Sequence, residues 1–256
     1  MTPHSELRTP NSILFSIYRA LYRHFGPQHW WPARTPFEVA VGAILTQNTA
    51  WANVEKAILN LKKNRLLCPG RVARLERSAL ERLIRPAGFF RVKARRLQEF
   101  ARFIQEKSSG RIESLRSVST SRLRQALLSV EGVGPETADS ILLYALGKPS
   151  FVVDAYTRRV LLRHGLIGSA SGKGSYDGIK RMFEENLPRR VSLFNEYHAL
   201  LVAVGKNYCR PLERCRLCPL NREAFFIRGA CRRRSRKKVT IGTSEISECE
   251  RMKFSK

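Results

Sequence analysis

The chain has 256 residues, 43% of them apolar, which is enough for the core of one large domain or two smaller ones and argues against global disorder. Its 47 lysines and arginines outnumber 21 aspartates and glutamates and leave a formal net charge of +26, a surplus that destabilises a compact protein unless a polyanion shares it. Nucleic acid is therefore favoured as the partner over an anionic membrane, because the basic residues are spread over many segments and not along one amphipathic helix.

The predicted elements are helices. Residues 1–12 contain neither an apolar signal region nor a twin arginine, and no stretch approaches the roughly 20 apolar residues of a membrane span, so we expect a cytoplasmic, nucleoid-associated protein. No segment alternates convincingly like a strand, and the fold class is predicted to be all-α. Apolar residues recur at helical spacing in the following segments: 13–25, 37–46, 51–61, 75–84, 92–104, 120–130, 136–146, 155–164, 176–186 and 193–204.

The C-terminal segment 228–256 differs in composition from the rest of the chain. It opens with a block of like charges at 231–238 and continues as a polar run. Such composition predicts a disordered tail. The tail either contacts phosphates or is solvated without a specific role.

A glycine-containing hairpin between two predicted helices is the most informative local feature. Gly132 and Gly134 bracket Val133, and Pro135 follows in the first turn of the next helix, where its missing N–H does no harm. Glycines allow close approach of the backbone to a ligand, and the free N–H groups of the following helix attract an anion. Residues 130–134 therefore predict a grip on phosphate that needs no contact with a base.

Other motifs occur in order along the chain. They are WWP at 30–32, FEVAVGAILTQNT at 37–49, RPAGFF at 85–90 with Lys-Ala at 93–94, and FVVDA at 151–155. Together with the hairpin they resemble the endonuclease III, or helix–hairpin–helix (HhH-GPD), superfamily of DNA glycosylases over roughly residues 12–225. Within it they are most similar to the bacterial 3-methyladenine DNA glycosylases of the endonuclease III type.

The resemblance implies two helical domains with a DNA-binding cleft between them. A six-helix barrel would span 35–148 and contain the helix–hairpin–helix at 123–146. The second domain would join 1–34 to 149–227 and carry a cysteine loop at 209–231. We expect a monomer that acts on double-stranded DNA containing damaged bases.

Asp154 follows an apolar triplet and precedes a predicted helix. By itself it is a good helix N-cap. The resemblance implies more, since the family's essential aspartate lies at this point after the hairpin. Breaking an N-glycosidic bond builds positive charge on the sugar, and a carboxylate stabilises that charge or activates water. Both roles are compatible.

Glu136 decides the predicted reaction type. Family members that also cleave the strand carry a lysine two residues after the second hairpin glycine, and its amine forms a Schiff base. A glutamate cannot form an imine, so we expect a monofunctional glycosylase with water as the nucleophile. The alternatives are a bifunctional enzyme for oxidised pyrimidines and a non-catalytic DNA-binding module. The adenine-mismatch branch is disfavoured because Gly42 stands where its catalytic glutamate falls.

The resemblance also places a base pocket and a set of DNA contacts. Trp30 and Trp51 would stack on an extruded base, with Trp31 and Pro32 beside them in the pocket, and aromatic faces suit a cationic alkylated purine. The alternative is that Trp51 is a core residue and that Trp30 and Trp31 join the two domains. Gln47 is expected to fill the gap that the extruded nucleotide leaves in the duplex, and Phe89 is expected to wedge between neighbouring bases. Lys93, Arg95 and Arg96 would contact phosphates. The contacts from the hairpin would come from Val130, Gly132, Val133, Gly134 and Thr137.

Six cysteines occur in a chain without an export signal, so a cluster of them indicates metal binding. Cys209, Cys215 and Cys218 resemble the iron–sulfur loop of the family, which holds a [4Fe–4S] cluster with four thiolates. Ala224 stands where the fourth cysteine belongs, and Cys231 is the candidate replacement. Loss of the cluster and a zinc site are the alternatives. The remaining two, Cys68 and Cys249, are expected to be ordinary thiols.

Overall fold

The computed structural model describes residues 10–31, 33–168, 174–210 and 215–222. Within these ranges the chain is helical and contains no strand, which confirms the all-α prediction. No helix in the same ranges is both long and apolar enough to cross a membrane. The α-helices are α1 Pro10–Phe25, α2 Pro36–Leu45, α3 Trp51–Lys63, α4 Pro69–Arg74, α5 Arg77–Ile84, α6 Phe90–Ser108, α7 Thr120–Leu128, α8 Pro135–Ser140, α9 Ala155–Arg163, α10 Tyr176–Asn186 and α11 Val191–Asn207.

Helix α4 was not predicted. The Cys68-Pro-Gly sequence favours a turn, but the structure places Pro69 at the first helical position, where its fixed φ suits the helix and its missing N–H costs nothing. Val72 on the next turn is fully buried and helps to hold this short helix against α6. Packing therefore decides what the local propensity leaves open.

The buried apolar side chains form two clusters. The first core contains apolar residues between Phe37 and Leu146, and α2 lies at its centre because nine of its ten residues are buried. The second core combines α1 with residues from Phe151 to Leu220. The N-terminal helix thus packs against the C-terminal helices.

A π-helical turn, Ile141–Ala145, follows α8 and lies where the two cores meet. Leu142 and Ala145 belong to the first core, whereas Leu143 belongs to the second. Tyr144 packs against both. Single π-helical turns are uncommon and are often found at functional sites.

A buried ionic network joins α8 to α10 behind the hairpin. Asp139 is fully buried, and its carboxylate accepts two N–H groups of Arg124, with Nε to Oδ1 at 3.0 Å. Ser150 Oγ lies 2.6 Å from Asp139 Oδ1, and Tyr176 Oη lies 2.9 Å from Oδ2. Lys180 Nζ lies 3.2 Å from Asp139 Oδ1 and is the fourth group in contact with this carboxylate. Because these groups come from separate elements, the network orients the hairpin against the second core.

Candidate active site

The hairpin has the geometry that its glycines suggest. Gly132 has a φ of +82°, and a Cβ there would overlap the side chain of Arg96. Gly134 is the N-cap of α8, with no side chain capping the helix and no atom within 4 Å of a Cβ built on it. Val130 and Val133 are buried beneath the turn, and the backbone at Gly134 is open to a ligand.

Gln47 is tied to this hairpin. Its Nε2 donates to the Gly132 carbonyl at 3.1 Å and to Thr137 Oγ1 at 2.9 Å, while Arg96 donates to its Oε1. Gln47, the predicted gap-filling residue, therefore lies beside the hairpin, and both the nitrogen and the oxygen of its amide are hydrogen-bonded. Arg96, predicted as a phosphate contact, is half-buried beneath the same turn, and Arg95 pairs with Glu131 at 2.7 Å.

Phe89 projects from the turn before α6. It is 70% exposed and has a φ of +46°, in the left-handed region that side chains rarely adopt. Such strain costs about 1–2 kcal/mol and is concentrated at functional sites. An exposed aromatic side chain held in this conformation suits an apolar wedge between bases.

Lys93 does not have the predicted role of a phosphate contact. It is 1% exposed, and its Nζ donates to the carbonyl oxygens of Leu45 at 2.9 Å and Ala87 at 2.8 Å. Burial lowers the pKa of its ammonium to about 8, and the nearby charge of Arg96 adds to this. Lys93 instead joins the carbonyl end of α2 to the turn before Phe89, so it holds these two loops together.

Asp154 is the N-cap of α9 and accepts the backbone N–H of Thr157 on Oδ1 at 2.7 Å. Its other oxygen, Oδ2, lies 3.6 Å from His198 Nε2, and only 12% of the side chain is exposed. Burial raises the pKa of Asp154, but the charge of His198 and the hydrogen bond from Thr157 outweigh it, so the net shift is downward. The carboxyl group is thus kept ionised in a nearly dry place.

Glu136 lies in the first turn of α8, close enough to Asp154 for their charges to interact. The residue is exposed at the surface. Nearby protein atoms nevertheless displace part of the water around its carboxyl group, and this desolvation raises its pKa to about 6. The charge of Asp154 adds to the rise, and His198 opposes it. The structure therefore places two carboxyl groups of different acidity at one site.

The tryptophans form a cluster centred on Trp31. Its ring centre lies 5.9 Å from that of Trp30, 5.2 Å from Trp51 and 5.1 Å from Tyr144. A Cβ on Gly42 would lie 3.1 Å from the Trp31 ring, so the indole occupies the space next to this position. The indole N–H groups of Trp30 and Trp31 are buried and have no hydrogen-bond partner among the residues that the structure describes. Pro32 lies outside the described residues.

Three residues of this site were missed by the sequence analysis. Tyr144 and His198 share a hydrogen bond of 2.6 Å, and Lys206 Nζ lies 5.7 Å from the Trp30 ring centre. The available signal was a histidine beside the apolar run at 199–204 of helix α11, since a buried histidine needs a polar partner.

The cysteines are only partly described. Cys209, at the end of α11, is buried and accepts a contact from Arg163 Nη1 at 3.3 Å, and its carbonyl oxygen accepts from Arg159 at 2.6 Å. Burial raises the pKa of the Cys218 thiol to about 11. In the part of the chain that the structure describes, no three Cys, His, Asp or Glu side chains are grouped to hold a metal ion. Cys231 lies outside that part, so the described cysteines alone do not form a ligand set.

Known proteins share both sequence and fold with this chain. Residues 41–189 match the family described as HhH-GPD superfamily base excision DNA repair protein. A Methanocaldococcus jannaschii protein provisionally named as a DNA repair glycosylase is 49% identical over 210 residues, which is 81% of this chain and 94% of that protein. Endonuclease III of Thermotoga maritima is 28% identical over 84% of this chain and 94% of its own length.

Two solved structures illustrate the shared fold. The Helicobacter pylori 3-methyladenine DNA glycosylase bound to 1,N6-ethenoadenine has a TM-score of 0.66 and 29% identity, over 77% of this chain and 97% of that one. An endonuclease III in a non-covalent complex with DNA has a TM-score of 0.72 and 23% identity, over 89% of this chain and 99% of that one. The chain therefore belongs to the HhH-GPD superfamily of base excision DNA repair proteins and is a DNA glycosylase.

Proposed function

We propose that this glycosylase removes alkylated, 3-methyladenine-like bases from duplex DNA and leaves the strand intact. The observation that carries the proposal is the pairing of Asp154 with Glu136 at the start of α8, where a strand-cleaving relative would carry a lysine. Two carboxyl groups at this point support charge stabilisation and water activation, and Glu136 cannot form an imine.

The chemistry follows from the position of Asp154. The damaged nucleotide leaves the stack and its base enters the aromatic cluster. As the bond from the sugar to the base breaks, positive charge grows on the sugar, and the ionised carboxylate of Asp154 stabilises it. Water then adds to the sugar carbon and releases a proton, so the products are a free base and an abasic site. The buried backbone contact from Thr157 keeps the carboxylate in place during this step.

The aromatic cluster supports the choice of substrate. Trp31 lies between Trp30, Trp51 and Tyr144, and aromatic faces attract the positive charge that alkylation places on a purine. The structure of the 3-methyladenine DNA glycosylase from Helicobacter pylori, 29% identical to this chain, contains 1,N6-ethenoadenine. Lys206 beside Trp30 repels such a charge, so we expect the base to stack on Trp31 and Trp51.

The hairpin and the wedge form the proposed DNA interface. The open backbone at Gly134 would bind phosphate, with Val130, Gly132, Val133 and Thr137 supporting the turn. Gln47 and Phe89 would face the gap left by the extruded nucleotide. Gln47 must give up its present contacts to do so, whereas Phe89 is already exposed.

A panel of duplexes tests the substrate and the reaction together. Each duplex carries one alkylated, oxidised or deaminated base, and products are separated with and without alkali. We expect release of alkylated purines, and strand breaks only after alkali. Release of oxidised pyrimidines alone, or breaks without alkali, would contradict the proposal.

Borohydride trapping tests the absence of an imine directly. We expect no covalent adduct between the protein and the substrate duplex, while a lysine-bearing endonuclease III forms one under the same conditions. Lys206→Gln is run beside the natural chain, because Lys206 carries the amine nearest the base pocket in the contacts above. An adduct that disappears in Lys206→Gln would replace the proposal with a lyase mechanism.

We further propose a [4Fe–4S] cluster held by the thiolates of Cys209, Cys215, Cys218 and Cys231, which would support the C-terminal loop and requires reduction of the disulfide that the structure gives Cys215. Four thiolates are the usual ligands of such a cluster. Anaerobically purified protein should be brown and contain about four iron atoms per chain. A colourless protein without iron would exclude the cluster, and zinc in its place would identify the alternative.

A further inference from the structure

Tyr144 and His198 connect the aromatic cluster to Asp154. Tyr144 Oη lies 2.6 Å from His198 Nδ1, and the ring of the same tyrosine lies 5.1 Å from that of Trp31. His198 Nε2 faces Asp154 Oδ2 at 3.6 Å and has no hydrogen-bond partner among the described residues. The three groups come from the π-helical turn, α11 and the start of α9, so only the packed structure brings them together.

Burial keeps the hydroxyl group of Tyr144 protonated. Desolvation raises its pKa well above the usual value, and the charges of Asp154 and Glu136 act in the same direction. The hydroxyl group shares its hydrogen bond with His198 Nδ1. When the histidine ring is positively charged, both of its nitrogens carry a proton, so Nδ1 donates to the tyrosine oxygen and the N–H of Nε2 faces the carboxylate of Asp154.

The other titratable groups around the histidine are few. They are Asp154 at the start of α9, Glu136 on α8 and Tyr144 in the π-helical turn. His198 lies between these acidic groups and is buried, with 5% of its surface exposed. A positive charge on its ring therefore acts on both carboxyl groups with little screening by solvent.

We propose that Tyr144 and His198 are positioning residues for the glycosylase reaction, which orient the carboxylate of Asp154 and keep it ionised beside the base pocket. This inference rests on the catalytic role proposed for Asp154. His198 does not touch the substrate in this scheme. It acts through Asp154, and Tyr144 acts through His198.

Two variants of His198 test its contact with Tyr144 and its contact with Asp154 separately. In His198→Asn the amide replaces Nδ1 and keeps the contact with Tyr144 but does not reach Asp154. In His198→Gln the amide reaches the place of Nε2 and donates to Asp154 without a full charge. Single-turnover base release from an alkylated duplex gives the rate at saturating enzyme and, separately, the affinity. We expect His198→Asn to lower the rate about 10- to 100-fold and to change the affinity less than about threefold. His198→Gln should recover part of the rate.

The pH profile distinguishes positioning from simple packing. The rate falls at low pH when Asp154 is protonated, and loss of the neighbouring positive charge raises the pKa of this carboxyl group. The acid limb of His198→Asn should therefore move to higher pH by about one unit or more. The same profile in a Glu136→Gln background keeps titration of Glu136 from being mistaken for that of Asp154.

Tyr144→Phe and His24→Asn complete the design. Tyr144→Phe removes one hydroxyl group, keeps the ring on Trp31, and should lower the rate about tenfold. If a histidine variant fails to fold, this variant still tests the positioning role. His24→Asn is the matched control, since His24 Nε2 shares a 2.9 Å hydrogen bond with Tyr208 Oη in an exposed pair. It should leave the rate and the acid limb unchanged.

The outcomes separate this inference from the proposed function. If Asp154→Asn is inactive while the Tyr144 and His198 variants keep the natural rate and acid limb, the positioning role is wrong and the function stands. If the rates fall but the acid limb stays in place and His198→Gln recovers nothing, the pair is only a packing contact. If Asp154→Asn remains active, the catalytic role of Asp154 and the positioning role of Tyr144 and His198 both fail, while the duplex panel decides the proposed function independently.

Discussion

Asp154→Asn is expected to reduce base release about 100- to 1,000-fold. The amide has the shape of the carboxylate and can still accept the N–H of Thr157, so the N-cap of α9 is retained. It carries no negative charge to stabilise the developing cation of the sugar. Single-turnover excision from a duplex with one alkylated base measures the loss.

Binding of the same duplex should change little in this variant, because the hairpin and the wedge are untouched. Thr157→Ser, a conservative change at the residue whose backbone contacts Asp154, is a suitable control and should keep most of the rate. Full activity of Asp154→Asn would show that the residue is only a helix cap. No activity of the natural chain on any damaged base would instead favour a DNA-binding module.

Asp139→Asn is expected to lower the free energy of unfolding by about 3–5 kcal/mol. The substitution keeps the size of the side chain but removes the buried carboxylate that Arg124 and Lys180 share, so Arg124 keeps only the exposed Asp177 as an acidic partner and Lys180 keeps Glu184. Loss of one member of a buried ionic network is much more costly than loss of a surface pair. Chemical denaturation followed by circular dichroism measures the change.

Asp177→Asn supplies the matched comparison. Asp177 is also bonded to Arg124, at 2.9 Å, but its side chain is 64% exposed. The same chemical change should therefore cost less than about 1 kcal/mol, because water screens the pair. Equal losses in the two variants would mean that burial of Asp139 does not set the strength of this network.

Local patterns in the sequence were sufficient to predict most helices, the hairpin and the N-cap at Asp154, whereas the catalytic role of Asp154 came only from the family resemblance. Helical periodicity depends on neighbours three and four residues apart, and the glycines of a hairpin or an aspartate before a helix are local signals too. The same local basis explains the failure at α4, where proline and glycine favour a turn and burial of Val72 favours a helix.

Lys93 shows where composition misleads. Lysines are almost never fully buried, so a basic residue near a DNA-facing turn is expected to lie at the surface. Here the carbonyl ends of two elements far apart in sequence meet and provide acceptors for its ammonium. No pattern within a single element contains that information.

The sequence by itself determined an all-α chain and its hairpin, with Glu136 in the first turn after the second glycine and Asp154 before a helix. Only the tertiary structure decided that Asp154 faces His198, that Tyr144 joins this histidine to Trp31, and that Lys93 is buried. The reason is that secondary structure and capping depend on residues close in the chain. Burial, electrostatic coupling and the π-helical turn depend on which distant elements pack together.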